Sequence, residues 1–535
     1  MAPVKMPTVM PSQHNFSMVP KATIERSVFD RSHGYKTTFN AGYLVPIFVD
    51  EVLPGDTFSL QAHLLCRLST PIKPVMDNMF VESFWFFVPY RLVWTNFVKF
   101  MGEQEPSTFT VYTIPQCTPP AAGYAIGCLQ DYMGIPTEIA CTAGTWSHSA
   151  LPVRAFHRIY NEWFRDENLV ASVAISSGDG PDVVPGTGYV LRKRGKRHDY
   201  FTSCLPWTQK AANPVNVGLL PTYAPVYTTT GAAALGVGVT QAAAGTPKFL
   251  NDVGASNIQA TAVSGGAPLL TDLTNETFTI NALRQAFQIQ RFLERDARGG
   301  TRYTEKVRAH FGVVSPDARL QRSEYLGGGS SPMNVQVVAQ SAPMAVGSAA
   351  PNDTTMGSLS GFGTAFAQGH GFSKSFTEHG VVIGIVNVRA DLTYAQGMER
   401  FWNRSTIYDF YWPAFAHLGE QAVLNKEIFL ADNLAQNNAA FGYQERFAEY
   451  RYKPSRVTGL FRPYVTGTLS VWNLSEDFGA LPTLASTFIE DQTSTVLDRV
   501  LAVNTEPDII MDAYIQLKCA RPMPVYGVPG LIDHF

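Results

Sequence analysis

A mainly β fold of antiparallel strands follows from three features of this 535-residue chain. In residues 57–68, Phe58, Leu60, Ala62, Leu64, Cys66 and Leu68 fall on one face, while Thr57, Ser59, Gln61, His63 and Arg67 fall on the other. This is the two-residue alternation of a half-buried strand, and Leu65 alone breaks it. Near the other end, Ile509, Met511, Ala513, Ile515, Leu517 and Cys519 repeat the pattern. Between them, residues 381–390 (VVIGIVNVRA) form an uninterrupted apolar run of strand length, which predicts a strand covered on both sides.

Taken in order, residues 1–38 hold four prolines, scattered Lys and Arg and no sustained period, so they read as an extended arm ordered by contact with a neighbour or partner. Residues 43–52 form a strand of their own. Pro54-Gly55 fixes one φ and frees the next, the chemistry of a type II turn before residue 57. From 79 to 88 both faces are apolar: Met79, Val81, Trp85 and Phe87 on one, Phe80, Phe84 and Phe86 on the other. Residues 106–144, rich in Pro, Gly, Thr and Cys, read as loop with short strands. A helix follows, with Ser149 placed to cap it, Pro152 in its first turn, and Phe156, Ile159, Tyr160 and Trp163 at helical spacing.

From 215 to 277 the composition shifts to Ala, Gly, Thr and Val, with Lys248 the only basic residue. This block reads as an insertion. Helical spacing resumes with Ile280, Leu283, Phe287 and Leu293 and ends at a glycine pair; a second, shorter helical segment follows from residue 301. Residues 327–371 are Gly, Ser and Ala rich around one expected strand, MNVQVVAQS, and Gly327-Gly328-Gly329-Ser330 reads as a flexible loop because no lysine and helix follow it. TGTLSVWN at 466–473 is a further expected strand. The tail 521–535 carries too many prolines for a central strand and should run extended over a surface. The paired strands thus lie at opposite ends of the chain. An eight-stranded antiparallel jelly roll with long loop insertions and a few short helices tolerates this, because its loops leave at the two ends of the sandwich.

Composition narrows the function. A hydrophobic fraction of 45% with only 16% charged residues describes a large core and a surface covered by something, as in extensive subunit contacts. The net charge of -3 excludes a globally basic nucleic-acid coat, so any such contact falls to local patches. No apolar run is long enough to span a bilayer, and the N-terminal residues lack a signal peptide's apolar core, so a soluble product made in the cytoplasm, without membrane contact, is expected. The six cysteines form no C-x-x-C pair; Cys66 and Cys519, in phase with buried faces, read as reduced core residues.

No catalytic or cofactor motif stands out: G-x-x-x-x-G-K-[ST], H-E-x-x-H, G-x-S-x-G and the EF-hand loop are all missing, and the eleven histidines are scattered. Neither enzyme chemistry nor a metal or cofactor is expected. The strongest chemical candidate is the basic run Arg192, Lys193, Arg194, Lys196 and Arg197, followed by Tyr200 and Phe201. Cations beside aromatics can neutralise phosphates and stack bases of a single strand without reading sequence. A solvated basic loop, or a salt-bridge partner for an adjacent subunit, explains the same residues.

The run FNAGYLVPIFVDEVLPGDTF, followed by STPIKPVMDN, FWFFVPYRLVW, KRGKRHDYFTSCLPW, RDARGGTRYTEKVRAHFGV and RPMPVYGVPGLIDHF, resembles the major capsid proteins of gokushoviruses, a branch of the Microviridae. The resemblance implies a virion capsid: a small icosahedral shell of identical chains around a single-stranded DNA genome, assembled in the host bacterial cytoplasm with minor viral structural proteins. It also implies that the insertion forms a protrusion at the threefold axes, available to a host-cell surface receptor. The division expected is therefore an arm at 1–38, the first part of the jelly roll at 39–214, the insertion at 215–277, the rest of the barrel and its loops at 278–520, and a tail at 521–535. A disordered linker is the alternative for the insertion. A carbohydrate-binding or adhesin-like β-sandwich would also explain the Thr- and Gly-rich loops, but a signal peptide would favour it and none is seen.

Overall fold

The computed structural model describes residues 25–103, 110–183, 189–208, 321–339, 341 and 359–526, and, within 209–314, four short strands, a helix and residue 309. The second helical segment expected after residue 301, the first 24 residues and the last nine lie outside this set.

Nine strands build the main sheet: β1 (Ser27–Asp30), β2 (His33–Phe39), β3 (Val45–Val52), β4 (Thr57–Leu68), β5 (Met79–Pro89), β6 (Glu324–Ala339), β7 (Leu359–Ser375), β8 (Gly380–Ala390) and β9 (Ile509–Arg521). They follow the order β1-β9-β4-β7-β6-β5-β8-β3, with β2 also on β9, and every ladder is antiparallel. Because β1 and β2 lie along the same side of β9, the strands make eight rows. Two sets of four result, β2-β9-β4-β7 and β3-β8-β5-β6, joined where β6 pairs with β5 through its first part and with β7 through its last. The sheet curls into the expected jelly roll. Part of the segment expected to be an arm is therefore sheet, from Ser27 onward.

The inward faces of both halves share one core. Phe58, Leu60 and Leu64 of β4, Met511 and Ile515 of β9, Val81 and Trp85 of β5, and Val382 and Val386 of β8 are all within 1% of complete burial. The outward face of β5 and β8 is covered as well. Phe86, Val88, Val381, Ile383 and Ile385 pack with Leu151, Phe156 and Ile159 of the helix α1 (Leu151–Ile159). Ser149 Oγ accepts from the Leu151 amide at 3.3 Å, one position ahead of the cap residue Ala150. Cys66 and Cys519 are free, buried thiols as expected.

Three expectations need correcting. Gly327-Gly328-Gly329-Ser330 is not a loop: it lies in β6, paired with Trp85, Phe84, Ser83 and Glu82. Glycine is needed there for close approach. A Cβ on Gly328 would sit 2.1 Å from the Ser83 carbonyl oxygen, and one on Gly329 would sit 2.4 Å from the His370 ring. Residues 466–473 are not a strand either. Gly467 turns the chain at φ +73°, Ser470–Trp472 form one 3-10 turn, and the Thr468 hydroxyl donates to the Arg462 carbonyl at 2.7 Å, so local bonds replace a ladder. The Gly-rich region, expected to hold one strand, contains a second, the 17-residue β7.

Gln209–Val314 form a unit of their own. It begins before and ends beyond the 215–277 insertion, and includes the helix Ile280–Gly299. Tyr223–Pro225 pairs with Leu270–Asp272, and Gly238–Val239 with Lys248–Phe249. On the helix, Phe287, expected on the apolar side, is exposed, and Leu293 is half-buried.

Candidate nucleic-acid interface

The basic run lies as a strap bonded to two stretches of backbone. In its first part the Leu44 amide donates to the Arg192 carbonyl at 2.9 Å, and the Arg194 amide donates to Gly42 at 2.9 Å. Further along, the Asp491 amide donates to Arg194 at 2.8 Å, and the Lys196 amide donates to Ile489 at 2.7 Å. These bonds pin the strap at two isolated antiparallel bridges, Tyr43 with Lys193 and Glu490 with Gly195. Leu205 then exchanges two 2.8 Å backbone bonds with Tyr443.

Each cation finds a partner within the chain. Arg194 and Arg197 both engage Glu82 of β5, Arg197 at 3.2 Å, and Arg197 also donates to Asp391 at 2.6 Å. Arg389 of β8 reaches the same Glu82 at 3.1 Å. Burial pushes the Glu82 carboxyl pKa up, but Arg194 and Arg389 outweigh it and hold it below its usual range. Lys196, with a side chain only 1% exposed, pairs with Glu476 at 2.8 Å. Lys193 donates to Gln492 at 3.1 Å. Arg192 stands over the Tyr160 ring, Lys193 over Tyr43, Arg194 over Phe84, Lys196 over Phe488 and Arg197 over Phe80.

Tyr200 and Phe201 are brought beside the cations, but they do not face outward. Both are 4% exposed, in a third core with Val423, Ile428, Phe441 and Phe488. The Tyr200 hydroxyl donates to Glu427 at 2.8 Å, and Tyr394 donates to Asp199 at 2.7 Å. Neither ring presents a face to a base in this arrangement. Sequence reasoning missed the anionic half of the site: Glu82, Asp391, Glu427 and Glu476 come from distant parts of the chain, and no local motif marks them.

A cleft of about 750 Å³ opens beside Tyr200. Its buried Glu427, with a pKa raised by desolvation, receives Arg400 at 2.9 Å and the Leu424 amide at 2.9 Å, and its neighbour Glu449 receives Arg404 at 3.5 Å. These carboxylates are tied by cations, an arrangement for holding loops rather than moving protons. Among the described residues, no group of three or more His, Cys, Asp or Glu is placed to hold a metal ion, and no helix is long and apolar enough to cross a membrane.

A jelly roll whose described ionisable groups are tied to one another in this way fits a structural role rather than a chemical one. The chain belongs to the family described as Capsid protein (F protein), which it matches over residues 17–531. It is 44% identical to the Capsid protein VP1 of Chlamydia phage 1, across 98% of this chain and 99% of that protein. Against the Capsid protein VP1 of Bdellovibrio phage phiMH2K the identity is 43%, and against that of Spiroplasma virus 4 it is 35%, with the same coverage. The resemblance to gokushovirus capsid proteins therefore holds over nearly the whole sequence. The protein is a structural capsid component of a virion and not an enzyme, and copies of it assemble into a multimeric shell.

Proposed function

We propose that copies of this chain close the smallest icosahedral shell around a single-stranded DNA genome, and that residues 215–277 form an exposed protrusion at the threefold axes that meets a host-cell receptor. What supports the second part is that the block holds short strands paired with one another, Tyr223–Pro225 with Leu270–Asp272 and Gly238–Val239 with Lys248–Phe249, which a structureless linker would not form. The block is also nearly free of charge, so its exposed flanks need cover, and copies from neighbouring subunits supply it while loop tips stay free to vary. Minor viral structural proteins join the shell, and assembly takes place in the host cytoplasm. Replacing residues 215–277 with a short Gly-Ser linker should yield closed shells that no longer attach to cells; equal attachment would move receptor binding elsewhere.

For the basic run, the internal partners support a strap that fixes the barrel to its loops. Genome contact by Arg192, Lys193, Arg194, Lys196 and Arg197 would require them to leave carboxylates and rings they already hold, and base stacking would require Tyr200 and Phe201 to leave a core. Changing the five cations to Gln should lower the melting temperature of the subunit. A variant with unchanged melting but weaker DNA retention and a flatter salt dependence would instead assign the run to the genome.

A further inference from the structure

Residues 401–412 form an aromatic surface without cover from the described parts of the chain. Phe401, Trp402, Tyr408, Phe410, Tyr411 and Trp412 are 42–68% exposed. Large aromatics carry about 150–250 Å² each, so these six rings present roughly 600 Å². The largest apolar patch on a monomer is about 300–600 Å², whereas a stable interface takes about 800 Å² per partner. Ile407 and Tyr450, both more than half exposed, extend the patch towards the second figure.

The surface is built, not frayed. A capping box at Thr406 and Asp409 fixes the turn Ile407–Asp409, and backbone bonds hold the Asp409 pKa down to about 2. Trp412 Nε1 donates to the Ile407 carbonyl at 3.2 Å. Arg404 stands over both Phe410 and Tyr450, at 5.3 and 4.6 Å, and Tyr411 meets the Phe447 ring edge-on at 5.3 Å. Ordered rings lose little side-chain entropy when a partner covers them, which is the composition of an interface hot spot: Trp, Tyr and Arg with little Lys.

Charge selects the partner. Around the patch, cations and carboxylates are in near balance, and most of the cations are paired: Arg404 with Glu449 at 3.5 Å, Lys453 and Arg456 with Glu399 at 2.5 Å each, Arg451 with Glu445; Arg446 instead donates to the Tyr408 carbonyl at 2.8 Å. A polyanion would find no net field here. A protein surface of similar make-up, aromatic with its charges paired among themselves, needs none. We infer that the aromatic surface of residues 401–412 is an assembly contact that docks on a second copy of this chain in the shell.

The test uses the full chain carrying Trp402→Glu and Trp412→Glu, beside Val111→Glu, which alters another strongly exposed apolar residue (81% exposed). The expected result is a double variant whose melting temperature falls by only a few degrees, for the lost Trp412 bond, yet which needs at least tenfold higher concentration to form shells, while V111E assembles normally. If the double variant does not fold, oxidative footprinting of the wild type decides: Trp402 and Trp412 should be protected severalfold in shells relative to free subunits. Normal assembly of the double variant, or equal oxidation in shells and subunits, overturns the inference. Normal shells with reduced retention of single-stranded oligonucleotides would overturn it in favour of a nucleic-acid surface. A wild type that forms no shells in the same assay would count against the shell reading itself, and footprinting against free subunits would then show no protection.

Discussion

Glu82 of β5 accepts from Arg389 of β8 at 3.1 Å, and the same carboxylate anchors the two strap arginines Arg194 and Arg197. One anion on the barrel thus holds three cations, one of them from the neighbouring strand and two from a segment more than a hundred residues away. Arg389, buried and close to Arg194, has its pKa drawn down to about 10, still well above neutrality.

Removing that anion should be costly. Glu82→Gln leaves the arginines crowded and uncompensated, and breaking a buried ion pair from one side costs about 3–5 kcal/mol. Chemical denaturation should give a loss of this order. Arg197→Gln, whose side chain is 34% exposed, should cost about 1 kcal/mol or less.

Acid should weaken the fold through His157. Its ring is fully buried, with Nδ1 3.0 Å from the Val153 carbonyl and Nε2 3.2 Å from that of Val190. Burial lowers its pKa from 6.5 to about 4. The unfolded chain therefore binds the proton more readily, so this contribution is complete above pH 6.5 and is lost as pH falls from 6.5 to about 4. The difference amounts to about 3 kcal/mol at most. Melting curves across that window should be steeper in pH for the wild type than for His157→Gln; equal slopes would remove His157 from the account.

The glycines of β6 make a third prediction. Gly328→Ala forces a Cβ to within 2.1 Å of the Ser83 carbonyl oxygen, and overpacking of this kind costs about 1–3 kcal/mol. Gly479→Ala, where nothing lies within 4 Å, should be neutral. Equal melting temperatures for both variants would mean that β6 does not run this close to β5.

These glycines also explain what the sequence hid. β4 and β9 are legible because their inward positions carry large aliphatics at a spacing of two, and Leu65, the one exception, is exposed opposite Phe366 of β7. In β7 the pattern inverts: Gly361, Gly363, Ala365 and Ala367 face inward, while Phe366 faces out. A Cβ on Gly363 would meet Leu68 at 2.9 Å, so small residues mark the place where the sheet curls tightly, and hydrophobic periodicity cannot see it. The basic strap was visible as a cluster of cations. Its partners were not, because ion pairs between distant segments leave no spacing in the sequence.

Electron microscopy of the purified full chain tests the central claim most directly, since a capsid protein of this family must build shells from its own copies. Small closed particles of one uniform diameter, with copies of the jelly roll related by icosahedral symmetry, are the result expected. Dispersed single chains at every concentration and ionic strength tried would contradict it.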